Sequence, residues 1–543
     1  MVQLLERKAA SFDHRGEAAR GRIGEAPLPA MAGDGAFIRL SSTKKAATFT
    51  GDSLSLTYLR HRIERSNFVV RQVATAEKVR APSAPVECLA VVDAFSTGAC
   101  LAHEASRRGY GIVHVLSLEP SDELAAMVPA HLRGALPWLA TLNVDVRAAM
   151  ADGATKLVDE IERLCADHQT SLVGLVPGAE TGVKLADELS ARIRDRGFAP
   201  KVCSNGTELT EARRNKADMG EAVRAAGVRA VRQLRADRWP PVAEWLETEW
   251  GLDPNNGDDP CLLIVKPLES AGSDGVTKCD CVRDVRNAVE KLVGSVNGLG
   301  QINEGVLVQE FLQGTEYVID SVSRDGVHKV VGIWVYDRRP TNGHGFVLHG
   351  QAMVGSADPV VAPLVAYAKE VLNALNINHG PAHMELKMCP PDLKRPDVKT
   401  PCLVEVGARC HGAEGFWISI ADETCRHNQA IAALDAYIDP PKFRDLPPLP
   451  PPKLYAAGCI KYLLTHQAGV LQGINQPALD EITNLESYRG HEVFLDIGKP
   501  VIPTKDCFSW GGCVKLVHPT QEGLERDYAI IERLCLDGLW RIV

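Results

Sequence analysis

Ala382-His383-Met384-Glu385-Leu386-Lys387-Met388 and Cys402-Leu403-Val404-Glu405-Val406-Gly407-Ala408-Arg409 are the two stretches on which the reading of this chain turns. In the first, Ala382, Met384 and Leu386 alternate with His383, Glu385 and Lys387, the period-two pattern of a strand. In the second, Leu403, Glu405, Gly407 and Arg409 fall on one face. Paired strands would bring Glu385 and Glu405 to the same side. Two facing carboxylates repel unless a cation lies between them. Mg²⁺ takes oxygen ligands and usually shares them with substrate phosphates. Arg409 could neutralise charge developing on a transferring phosphoryl group or an oxyanion. The competing reading is a cross-strand Arg–Glu ion pair with no metal. The connection, Cys389 to Pro401, is rich in Pro and charge and reads as a surface loop.

Upstream, the apolar run Leu262 to Val265 delivers Lys266 at a strand end, where a lysine can hold phosphate oxygens. Ser270-Ala271-Gly272-Ser273-Asp274-Gly275-Val276 follows, and its small residues would let backbone N–H groups approach an anion closely. Each feature alone is an ordinary strand end or turn; together they look like a phosphate grip. Val308 to Tyr317 is an apolar strand running into a turn with Glu310 and Glu316 at either end. Such a segment offers backbone and apolar faces to an adenine and a carboxylate to a ribose. An exposed acidic hairpin is the plainer alternative.

Strands Cys88–Val92, Ile112–Leu116 and Leu172–Val176 alternate with helices Ala99–Arg108 and Gly182–Arg196, which means a parallel, Rossmann-like α/β unit. It lacks G-x-G-x-x-G, and Ser96-Thr97-Gly98 reads as a tight turn before it reads as an anion site. Further on, the pattern predicts a helix over Glu211–Ala226, a strand over Cys261–Val265 and a helix over Val282–Val293. A hairpin is expected at Asp325-Gly326 between Tyr317–Ser323 and Val330–Tyr336, and another helix from Val360 to Leu375. Asp439 to Pro452 carries seven prolines and reads as a semi-rigid linker. Leu454 to Val543 reads as a small α+β unit closed by a helix near Leu524 to Leu536.

The 543 residues exceed one hydrophobic core, so several packed units are expected. The net charge of −9, with both signs interspersed, excludes the basic patch of a nucleic-acid binder. No apolar run is long enough to span a bilayer, and the acids Glu6, Asp13, Glu17, Glu25 and Asp34 argue against a transit peptide, so a cytoplasmic protein is expected. The 15 cysteines are scattered, with no C-x-x-C pair, and read as reduced thiols.

The order of these features resembles the ATP-grasp superfamily, and more narrowly its L-amino acid ligase and carnosine-synthase-like branch of carboxylate–amine ligases. The stretches Val176-Pro177-Gly178-Ala179-Glu180 with Gly182-Val183, Ser204 to Met219, Ser270 to Val276 and Val404 to Gly412 carry the resemblance, which covers roughly residues 86–540. The resemblance implies an α/β fold, α+β in parts. An N-terminal Rossmann-like pre-ATP-grasp domain would occupy 86–205 and the nucleotide-binding and catalytic domain 206–440. A Pro-rich linker at 441–453 and a small C-terminal α+β lid subdomain at 454–543 would follow, with a partly disordered extension at 1–85.

It further implies roles. Lys216 and Lys266 would contact the ATP phosphates under the Gly272–Ser273–Gly275 loop. Glu310, Phe311 and Leu312 would meet adenine, and Glu316 the ribose. Glu385 and Glu405 would hold Mg²⁺, with Mn²⁺ as a substitute, and Arg409 would steady the acyl phosphate. Trp334, Tyr336, Arg338, His349, His411 and Gly412 are candidates for the acceptor pocket. The partners implied are a small-molecule carboxylate and an amine, with no nucleic acid or membrane, and a homodimer as the assembly. The family's usual Glu-x-Asn is broken by Gly407, which leaves a two-metal arrangement open. The rival readings are an ATP-dependent carboxylase-like enzyme and a nucleotide-binding regulatory protein without catalysis.

Overall fold

The computed structural model describes residues 87–121, 124–125, 127–269, 275–296, 302–390 and 400–543. The N-terminal extension, the greater part of the 270–276 loop and most of the 389–401 connection lie outside the described residues.

The first unit is a four-stranded parallel sheet of order β3-β2-β1-β4, with β1 at Glu87–Val92, β2 at Gly111–Leu116, β3 at Trp138–Asn143 and β4 at Ser171–Pro177. Burial on both faces explains why β1 and β2 are nearly continuous apolar runs. The Ser96-Thr97-Gly98 turn opens helix Thr97–Arg107 and is tied to the loop after Arg409. Thr97 Oγ1 donates to the His411 carbonyl at 2.6 Å, and Ser96 Oγ accepts from the Glu414 N–H at 2.9 Å.

The second unit is antiparallel, in the order β5-β8-β6-β7: β5 Gln233–Ala236, β6 Pro260–Pro267, β7 Thr277–Cys281 and β8 Val306–Glu310. Helix Val282–Leu292 buries Val282, Val285, Val289 and Leu292, the spacing of one helical face, against this sheet. The helix expected over Glu211–Ala226 begins five residues later, at Lys216. Asn215 caps it by accepting from the Ala217 and Asp218 N–H groups, and its extended backbone halts the helix there.

An eight-stranded sheet of order β13-β12-β9-β10-β11-β14-β18-β16 forms the centre. Its strands are β9 Thr315–Arg324, β10 Val327–Thr341, β11 His344–Met353, β12 Gly380–Cys389, β13 Thr400–Gly407, β14 Ala457–Leu463, β16 Tyr488–Val493 and β18 Gly512–His518. β15 Gly469–Ile474, β17 Pro500–Val501 and β19 Trp540–Ile542 make a small separate sheet. Asp325 and Gly326 turn β9 into β10 with φ of 51° and 75°, the two positive values a tight hairpin needs. The C-terminal strands β14, β18 and β16 extend the same sheet through β11, and helix Gln521–Leu536 packs on them.

The Pro-rich stretch differs from a free linker. It opens with a short helix, Pro440–Asp445, capped by Asp439. The Pro448 carbonyl then accepts from the Val330 N–H, and the carbonyls of Phe443 and Arg444 accept from the buried Lys329 ammonium at 2.7 and 2.8 Å. Prolines retain their carbonyls as acceptors, so such a segment can pair as firmly as any other. All 15 cysteines are free thiols.

Candidate active site

Antiparallel pairing of β12 with β13 places Glu385 directly opposite Glu405. The next pair is Leu386 with Leu403, so Val404 is the extra residue of a bulge, and the strand ends at Gly407 with Arg409 just beyond it. A cavity lies between this edge of the central sheet and the antiparallel second unit, and Lys216, Lys266, Glu316, Arg338, Glu385 and Glu405 line its polar side. Ile264, Val276, Phe311, Leu312, Phe346 and Leu403 supply the apolar wall. An apolar slot ending in cations and carboxylates fits a nucleotide, base first.

The charges are matched in pairs. Lys216 Nζ lies 2.9 Å from Glu405 Oε2. Arg338 Nε donates to Glu316 Oε1 at 2.7 Å, with Lys387 Nζ 3.8 Å from the other Glu316 oxygen. Burial alone would raise the Glu405 carboxyl, but Lys216, Lys266 and Arg409 together outweigh burial and hold it well below the usual carboxylate range. Glu385 is pushed the opposite way by burial and by the Glu405 and Glu316 carboxylates. One carboxylate is therefore charged and its neighbour favours a proton. This oxygen-only pair fits a hard divalent cation, which would replace that proton and relieve the repulsion.

Lys266 is 6% exposed. Burial, and then the nearby Lys216 charge, lower its pKa to about 8. Because it is depressed below the unfolded value, the folded state resists protonation of Lys266, and stability rises as pH climbs from about 8 towards the ordinary lysine range. Binding of a nucleotide's phosphates beside Lys266 would have the opposite sign, because phosphates favour the ammonium. ATP affinity should fall roughly tenfold between about pH 7 and about pH 9, and Lys266→Arg should flatten that slope, since a guanidinium stays charged. Calorimetric titration of ATP across this range checks both; an unchanged slope in the Arg variant would assign the effect elsewhere.

The remaining expected residues fall in three places. Phe311 lies beneath two ammonium groups, Lys278 at 5.6 Å and Lys387 at 5.4 Å from its ring, and Glu310 accepts from Arg232. Gly275 is in the left-handed region (φ 70°) at the mouth of the loop; Gly272 and Ser273 lie outside the described residues. Tyr336 OH donates to Glu385 Oε1 at 3.4 Å, and Arg338 lines the cavity. Trp334 and His411 instead sit behind the site, and the Gly412 carbonyl accepts from Thr97 Oγ1 and Trp417 Nε1. His349 is not brought to the cavity. Asp337 pairs with Gly350 and Arg338 with Leu348, so His349 is the extra residue of a bulge. Its ring bonds Thr341 Oγ1 at 2.7 Å and lies 3.9 Å from Glu532 of the C-terminal helix.

A buried cluster behind Glu385 joins the candidates Trp334 and His411 to Asp320 and His383, two residues not singled out as site residues in the sequence. Asp320, 1% exposed on β9, accepts from His383 Nδ1 at 2.8 Å, His411 Nδ1 at 2.9 Å and Trp334 Nε1 at 2.8 Å. The carboxylate forces both rings to carry their proton on Nδ1. Burial and the His411 ring push the His383 pKa down to about 4, so His383 is neutral, with Nε2 3.9 Å from Glu385 Oε1. An acid inside the apolar run of β9 was the available signal. Asp320→Ala strands three buried donors and should cost about 3 kcal/mol. Urea unfolding measures this, and a loss below about 1 kcal/mol would deny the cluster its structural weight.

Residues 259–392 match the ATP-grasp domain family. The chain is 28% identical over 358 residues to dapdiamide A synthase of Enterobacter agglomerans, covering 66% of this chain and 74% of that protein. The structure resembles L-amino acid ligase from Bacillus licheniformis, with a TM-score of 0.60 and 17% identity, covering 84% of this chain and 98% of that one. It also resembles N5-carboxyaminoimidazole ribonucleotide synthetase solved as an ADP complex, with a TM-score of 0.54 and 13% identity, covering 84% and 98%. The fold is the ATP-grasp fold. Among the described residues no helix is long and apolar enough to cross a membrane.

Proposed function

We propose that this ATP-grasp chain is a carboxylate–amine ligase that activates a carboxylate with ATP and joins it to an amine, acting on amino acids or small peptides. The observation that carries the proposal is the juxtaposition of Glu385 and Glu405 with Lys216 and Lys266 on one side of an apolar slot. The similarity to an amino acid ligase and to dapdiamide A synthase supports an amide product.

The base would enter the slot against Phe311 and Leu312, beside Glu310, with Glu316 at the ribose. Lys216 and Lys266 would meet the phosphates, with the Gly272–Gly275 loop over them. Glu385 and Glu405 would hold Mg²⁺, which supplies charge neutralisation to the phosphate oxygens when bound. A carboxylate oxygen of the substrate attacks the γ-phosphorus. The bond to the bridging oxygen breaks, ADP leaves and an acyl phosphate forms. The amine, having lost one proton to water, then attacks the carbonyl carbon, the carbon–oxygen bond breaks to release phosphate, and the nitrogen gives its second proton to that phosphate or to water. Arg409 would hold the acyl phosphate oxygens and the tetrahedral oxyanion by fixed N–H donors. The lysines and Arg409 align the reactants, which is most of what phosphoryl transfer asks of a protein. We place the reaction in the cytoplasm.

The test is release of ADP and phosphate from Mg²⁺-ATP across a panel of amino-acid pairs, with Glu385→Ala, Glu405→Ala and Arg409→Ala beside the native protein. Release that requires both an acid and an amine, and is lost in the variants, is the expected result. ATP bound tightly with no release across the panel would overturn the assignment to amino acids.

A further inference from the structure

Gly407 ends β13, two residues after Glu405 and two before Arg409. A Cβ added there would lie 2.6 Å from Glu180 Oε2 and 3.1 Å from Arg409 Cζ. No larger residue fits without displacing that carboxylate or the guanidinium. An asparagine there meets a carboxylate from a distant part of the chain and fits only if that side-chain end swings aside.

Glu180 stands on the short turn Glu180–Gly182 that follows β4 in the first unit. Its Oε2 lies 2.7 Å from Arg409 Nε, and its Oε1 accepts from Arg214 Nη1 at 2.6 Å. Arg409 is held a second time where its Nη1 donates to the Cys410 carbonyl at 2.9 Å. Arg214 is two residues before Lys216, the first residue of its helix. One carboxylate thus bridges the arginine beside the metal carboxylates and the segment that delivers a lysine to the cavity. Burial would raise the Glu180 carboxyl, but the Arg409 and Arg214 charges outweigh it and keep it ionised. A long arginine side chain loses little further freedom on meeting a ligand when two of its edges are already fixed.

We propose that Glu180 is the positioning residue for Arg409: it occupies the space that Gly407 leaves open, fixes the guanidinium plane and links it through Arg214 to the Lys216 segment. The kinetic part of this inference rests on the ligase reading; the packing part does not.

Three measurements test it. In steady-state kinetics, Glu180→Gln, which keeps the size and one acceptor, should lower kcat about tenfold and Glu180→Ala about a hundredfold, with KM for ATP within about threefold of native. In thermal melting, Gly407→Asn should destabilise the native protein clearly but cost much less in a Glu180→Ala background, because the group it meets is gone. By NMR, the Arg409 guanidinium signals, assigned by their loss in Arg409→Lys, should shift in Glu180→Ala, because the carboxylate 2.7 Å from Nε is gone. A folded Glu180→Ala with kcat within about threefold of native overturns the positioning role. Equal cost of Gly407→Asn in both backgrounds overturns the shared space. If the native protein shows no amine-dependent ADP release, the ligase reading fails, while the melting cycle and the Arg409 signal still decide the contact.

Discussion

Arg409→Ala should lower kcat by about a thousandfold while leaving ATP affinity within about threefold, the signature of a donor used only as charge develops. The separation follows from geometry. Arg409 is not among the residues that line the cavity, and it leaves the strand beyond Gly407. It is nevertheless close enough to lower the pKa of Glu405, after the larger contributions of the two lysines. On the proposed function, a group in that place would contribute little to holding ATP and much to an acyl phosphate or a tetrahedral oxyanion formed beside the two glutamates. Arg409→Lys should recover little, because one ammonium cannot reproduce a planar fork held at Nε and Nη1. Parallel loss of ATP binding and turnover would move Arg409 from the chemical step to nucleotide binding.

Glu385→Gln should abolish turnover, with a loss of about a thousandfold or more, and at the same time raise the melting temperature of the metal-free protein by a few degrees. Both effects have one cause. The Glu385 carboxyl is buried opposite Glu405 and near Glu316, and these push its pKa up. A carboxyl raised in the folded state costs stability as pH rises from its unfolded value to its folded one, and the amide removes that cost. The same amide cannot bind a divalent cation as a carboxylate does. The stabilisation should disappear when Mg²⁺ and nucleotide are added, because native Glu385 then has its partner. Melting curves with and without Mg²⁺-ATP check this. A variant less stable than native in the metal-free state would show that Glu385 is a structural ion-pair partner.

Local periodicity carried the elements that position the site. Alternation along β12 and β13 put Glu385 and Glu405 across from each other, and an apolar run ending in Lys266 marked β6. Departures arise where a tertiary detail breaks the period. A bulge at His349 turns that ring towards the C-terminal helix, a local irregularity that residue types do not announce. Trp334 and Tyr336 share one face of β10, but the indole reaches Asp320 while the phenol reaches Glu385, a difference of depth that spacing does not encode. β3 is a half-exposed edge strand with little alternation and gave no signal. Asp439 to Pro452 looked like a spacer by composition, although its carbonyls are engaged by Lys329 and Val330. Glu180 was visible only as part of a short motif; its meeting with Arg409 joins positions more than two hundred residues apart.

The central claim is that ATP activates a carboxylate by phosphorylation, and isotope transfer tests it most directly. The panel reaction would be run with the acid labelled with ¹⁸O in its carboxyl group and the released phosphate examined by mass spectrometry. Acyl-phosphate chemistry expects one labelled oxygen to pass from the acid to phosphate for each amide formed, with none in ADP. Unlabelled phosphate accompanying amide formation would contradict it, since the carboxylate oxygen would then not have been the nucleophile.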